Sequence, residues 1–166
     1  MGAAWPEKKL ITRPTQSTKN WLFVVGNVLI MLYVVMIYLE GGSIFFLLLQ
    51  LLVATANVLM MLSVDEHKSR KIIAVAGLFL FIWSLTIMEN YHTILFIIGL
   101  LCIAFGYASK TGSLHRNLPL TLGSICIAIF SYVEASWIFF GLNALFAVFS
   151  GYYTVKNMRT AFSVTL

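Results

Sequence analysis

Six apolar runs, residues 21–39, 44–64, 72–88, 94–108, 120–133 and 137–154, contain no Asp, Glu, Lys, Arg or His. All seventeen charged side chains, eleven basic and six acidic, stand in the segments between and around them. Such runs have no polar face to offer water, so they must be covered by lipid or by one another. Only 10% of the residues are charged, against about 25% in soluble domains. That excludes a water-soluble globule, a disordered chain and a disulfide scaffold. A β-barrel is excluded too, because its strands alternate apolar and polar residues and these runs are apolar throughout.

A helix rises about 1.5 Å per residue, so the first two runs reach roughly 28–32 Å and match a hydrocarbon core of ~30 Å. The fourth and fifth runs reach only ~22 Å, a length shared with re-entrant or buried segments. The charges decide between these readings. If all six runs cross, one side of the membrane holds residues 1–20, 65–71, 109–118 and 155–166, and with them every Lys and Arg of the chain. The other side holds only Glu40, Glu89 and Glu134. Lys and Arg gather in short cytoplasmic loops, so an all-α bundle of six spans with both termini cytoplasmic is expected. Removing one crossing would scatter the cations over both faces. Tyr38, Tyr91, Tyr132 and Trp137 fall at the outer ends of the runs, and Trp21, Tyr107, Tyr152 and Tyr153 near the inner ends. Both are headgroup levels, where amphipathic rings collect.

Residues 1–20 form a polar basic tail with Pro6 and Pro14 and no apolar stretch of a cleavable leader, so the first span is expected to act as its own insertion signal. Gly2 is not followed by the Ser or Thr of a myristoylation motif, since Pro6 occupies that position. Cys102 and Cys126 lie inside spans and read as small apolar fillers.

The spans read as three helical hairpins. Each outer loop opens with Glu and leads into an Ile/Phe-rich helix, at Glu40, Glu89 and Glu134. The return helices carry polar or small residues with i, i+4, i+7 spacing: Gln50, Ala54 and Asn57; Gly99, Ile103 and Gly106; Asn143, Ala147 and Ser150. That spacing puts each set on one helix face. Small residues let backbones approach and amides bond across helices, so the stripes are packing surfaces. Alternatively, they line a narrow polar passage.

Acid–base, nucleophilic or metal chemistry needs convergent groups, and none is evident. His67, His92 and His115 all fall in loops. His92 reads as a solvated loop histidine or, with Glu89 three residues earlier, as a weak outer metal or proton site. The three outer Glu could ring a mouth and attract cations, or simply flank helix starts. No enzyme activity, cofactor, metal or nucleic-acid partner is expected. The polar groups inside the spans are neutral: Asn27, Gln50, Thr55, Asn57, Ser84, Thr86, Ser124, Ser131, Asn143 and Ser150. Trp83 reads as bundle packing or a stacking surface.

Residues 95–116 (LFIIGLLCIAFGYASKTGSLHR) resemble the fourth span and following basic loop of the YgjV-type bacterial inner-membrane proteins. Residues 140–146 (FGLNALF) resemble their last span, and the three-hairpin layout over 21–159 is similar. The Asn/Gln-bearing helices and Tyr152-Tyr153 are similar in style to PnuC-type nicotinamide riboside carriers and to the SWEET class of sugar carriers. No span here holds a Pro-Gln pair, and the repeat unit is two helices, not three. The resemblance implies a multi-pass protein of the inner membrane. The expected function is a small transporter or channel-like carrier of a neutral polar solute. Asn27, Gln50, Asn57 and Asn143 would orient that solute, and Gly99 and Gly106 would leave room for it. The alternative is a non-catalytic accessory or assembly subunit, working as a homo-oligomer or within a larger membrane complex.

Overall fold

The structure is a computed structural model that describes residues 18–88, 90–110 and 113–164. Most of the basic tail, Glu89 and residues 165–166 lie outside the described residues. Six helices follow in chain order: α1 (Thr18–Leu39), α2 (Ile44–Met61), α3 (Glu66–Thr86), α4 (Thr93–Ala108), α5 (Leu114–Val133) and α6 (Trp137–Val164). Five of them are long and apolar enough to cross a membrane; α4 is apolar but shorter. Its 16 residues span about 24 Å.

Helix ends depart from the apolar runs in a systematic way. α3 and α5 each begin six residues before their runs, and α6 continues ten residues past its own. Hydropathy marks where lipid contact stops, whereas a helix continues as long as its backbone groups find partners. Asp65 starts α3 by accepting the His67 amide at 3.0 Å, which gives the basic stretch at Lys68, Arg70 and Lys71 a helical backbone. In α5 the extra turn carries His115, Arg116 and Asn117, and Pro119 stands just inside it. A proline there removes one early hydrogen bond without stopping the helix.

Three helix ends close in the same way. The amides of Gly42, Val64 and Ser136 bond back to the carbonyls of Ile37, Leu59 and Ser131 at 2.9, 3.2 and 2.8 Å. This wide closing bond needs a left-handed residue just before it, and Gly41, Ser63 and Ala135 adopt φ of 90°, 54° and 54°. Only at Gly41 did the residue type announce the turn.

The chain divides into two compact units, with the boundary inside α3 between Ala76 and Gly77. In the N-terminal unit α1 packs on α2. α2 is half buried along its length, through Phe46, Leu48 and Leu52 among others. α1 buries only Val34 among its described side chains.

In the C-terminal unit α4 packs on α5 and α5 on α6. Phe96, Leu100 and Ile103 of α4 and Leu120, Ile127 and Phe130 of α5 are buried, and the Phe96 and Phe130 rings lie 5.2 Å apart. Two of the three expected hairpins, α1/α2 and α5/α6, are therefore packed pairs. α4 also packs on α5, across the loop that joins them. Glycine explains this contact. A Cβ on Gly99 would stand 3.0 Å from the Gly123 carbonyl, and one on Gly123 would stand 2.8 Å from the Gly99 carbonyl. Bare backbones thus meet at one crossing, the closest approach two helices can make.

Candidate functional site

The polar side chains inside the helices divide by what they do with their hydrogen bonds. Most hydroxyls are closed on their own helix. Thr55, Ser84, Thr86, Ser124, Ser131 and Ser150 each donate to a carbonyl three or four residues back, at 2.7–2.9 Å. A hydroxyl in an apolar helix has no better acceptor within reach. Asn143 does the same, its Nδ2 donating to the Phe139 carbonyl at 2.8 Å.

The stripe of α4 is a packing surface. Gly99 faces Ile127 and Gly123, and Gly106 faces Leu120 and the Arg116 carbonyl. The expectation that these glycines leave room for a solute is corrected: α5 fills that space. Cys102 and Cys126 sit beside the same crossing, where their Cβ atoms approach Gly123 and Gly99, in keeping with their role as small fillers. On the α6 stripe, Ser150 meets Thr121 and Thr154. The Thr121 hydroxyl lies 3.1 Å from Ser150 Oγ and 3.2 Å from Thr154 Oγ1, a polar seam between α5 and α6. Thr121 and Thr154 escaped the sequence reading because their spacing makes sense only once the two helices are in register.

The N-terminal unit holds Asn27, Gln50 and Asn57. Gln50 is buried and donates through Nε2 to the Asn27 backbone carbonyl at 3.0 Å, and also to Asn27 Oδ1. One amide thus joins α1 to α2. Asn57, two turns further along the same face of α2, is 6% exposed, and its Nδ2 is buried with no hydrogen-bond acceptor among the described residues. An amide donor without a partner in an apolar surrounding costs about 1–3 kcal/mol. Of the four residues expected to orient a solute, these three share a unit, while Asn143 belongs to the other.

Charged groups also differ from expectation. His92 is not a solvated loop residue. Its Nε2 lies 2.7 Å from Glu134 Oε1, and its ring stands 6.0 Å from that of Phe130. This contact ties the start of α4 to the end of α5, so Glu134 is engaged within its own unit. Arg116, expected in a loop, is buried in the first turn of α5 with its guanidinium 6.0 Å above the Tyr107 ring, a cation–π distance. Trp83 is exposed and meets Phe79, one turn earlier on the same helix, edge-on at 5.9 Å. No group of three or more metal-ligating side chains occurs among the described residues. Comparison with protein-family models, with curated proteins and with solved structures finds no match.

Proposed function

We propose that the chain is an integral membrane protein that carries a small neutral polar solute past the α1–α2 face. The observation that carries this reading is Asn57, a buried amide donor with no acceptor among the described residues, on the helix face where Gln50 already holds Asn27. A hydroxyl or carbonyl oxygen of a solute would satisfy it, and the Asn27–Gln50 amides could exchange their mutual bond for bonds to the same molecule. No Asp, Glu, Lys, Arg or His lies in the six apolar runs, which favours an uncharged cargo and passive movement over proton coupling. The same proposal includes six crossings with both ends in the cytoplasm, supported by the sorting of Lys and Arg. It also includes the bacterial inner membrane, supported by the YgjV-like stretches at 95–116 and 140–146.

The test is osmotic. Proteoliposomes holding the full chain are shifted into glycerol, urea or ribose, and re-swelling is followed by light scattering. Re-swelling faster than in empty vesicles is expected for at least one solute. Asn57→Leu should remove the excess rate. Gly141→Ala, where a Cβ meets nothing within 4 Å, should keep it. Equal rates with and without protein for every solute would contradict the proposal.

One observation favours the accessory-subunit reading. Leu22, Leu29, Met36 and Leu39 of α1 are each more than 60% exposed, an apolar surface for lipid or for a partner helix. A companion protein at fixed stoichiometry after purification in mild detergent would support it.

A further inference from the structure

The four leucines of α1, Leu22, Leu29, Leu32 and Leu39, do not scatter round the helix. From Leu22 onward, with Val25 and Met36, they take every a and d position of a seven-residue repeat: Leu22, Leu29 and Met36 at a, Val25, Leu32 and Leu39 at d. Apart from Val25, the valines and isoleucines of the helix stand elsewhere. The six side chains are 51–78% exposed. They form one line about 26 Å long, close to the depth of the hydrocarbon core. The contact with α2 uses the opposite side, position f, where the Asn27 carbonyl accepts from Gln50 and Val34 is buried. Only 6% of the α1 span is buried, against 28–50% of the other long spans.

Leucine gathered on an a/d seam is the pattern by which helices wind round each other at about +20°. Lipid makes no use of such a repeat, because its tails are as apolar as leucine at every position round the helix. The seam therefore points to a helix, and symmetry says which. Copies of one chain enter a membrane in one orientation, so a two-fold axis along the membrane normal sets two α1 helices parallel. Each a then meets a, and each d meets d, at the same depth, with no charge at any of the six positions. We propose that α1 pairs through this seam with α1 of a second copy of this chain, giving a two-fold dimer in which both α1–α2 contacts stay closed. The proposal takes the membrane-spanning reading of the chain as its premise and does not depend on transport.

Disulfide trapping in native membranes tests it. Cys102 and Cys126 are replaced by alanine, and single cysteines are introduced at Leu29 and Met36 on the seam and at Phe23 and Val148, which are exposed away from it. Oxidation with copper phenanthroline should join Leu29→Cys and Met36→Cys into covalent dimers and leave Phe23→Cys and Val148→Cys as monomers. No dimer from the seam positions, equal trapping at all four, or a product joined to a different protein overturns the proposal. Should the chain without its own cysteines fail to fold, co-purification of two differently tagged copies of the unaltered chain from mild detergent decides. The copies should be retained together, and Leu29→Ala with Leu32→Ala should weaken their association by about tenfold. Absence of joint retention, or retention that the two alanines leave unchanged, is the contrary result. Seam trapping without re-swelling in any solute would count against the carrier reading only.

Discussion

Leucine at Gly123 is expected to separate α4 from α5 and to unfold the C-terminal unit at a markedly lower temperature. The added Cβ alone would stand 2.8 Å from the Gly99 carbonyl and 3.0 Å from Cys102 Cβ. A backbone oxygen cannot rotate aside as a side-chain tip can. Overpacking a tight contact costs about 1–3 kcal/mol, and a whole isobutyl group at a backbone crossing belongs at the upper end of that range. Gly99→Leu meets Ile127 and the Gly123 carbonyl and should behave alike. The matched controls are Gly26→Ala and Gly141→Ala, both in open space, whose unfolding midpoints should stay unchanged. Thermal unfolding of the four purified variants checks this, and an unaltered midpoint in Gly123→Leu would mean that the two helices do not cross at these glycines.

Gln50→Leu is expected to loosen α1. That helix buries only Val34 among its described side chains, so the Gln50 amide is a large share of what holds it to α2. Interhelical amide bonds in bilayers contribute about 0.6–2 kcal/mol, and the substitution also leaves the Asn27 side chain without its partner. Spin labels at Leu22 and Val58, both exposed, report the outcome by electron–electron distance. The distribution should be narrow in the parent chain and broad in Gln50→Leu. The same narrow distribution in both would show that α1 is held by packing alone.

The helices were legible because uninterrupted apolar runs have few other ways to satisfy their backbones in lipid. Their ends were not. Asp65 and the turn before Pro119 extend α3 and α5 through residues that hydropathy counts as loop. The stripe on α4 was visible as spacing, but whether Gly99 opens a passage or admits a neighbour depends on Gly123, which lies on another helix and carries no sign of the pairing. Gln50 and Asn57 stood out as amides in apolar surroundings. That one is bonded to Asn27 and the other unsatisfied is a matter of facing geometry, which no spacing within α2 encodes. His92 was read with Glu89, its neighbour in sequence, whereas its partner in space is Glu134, 42 residues away. Arg116 reads as a topology marker in the sequence, and its burial follows from the extra turn by which α5 exceeds its apolar run.

The proposals rest on an even number of crossings, and α4 is the helix on which that parity turns, since its 16 residues are the shortest of the six. Reporter fusions in a bacterial host measure it directly. A fluorescent protein joined after Leu166 should fluoresce, and alkaline phosphatase joined after Tyr91, which is 93% exposed, should be active. Phosphatase activity from a fusion after Leu166, with no fluorescence there, would mean that one helix fails to cross and would remove the charge sorting on which the orientation is built.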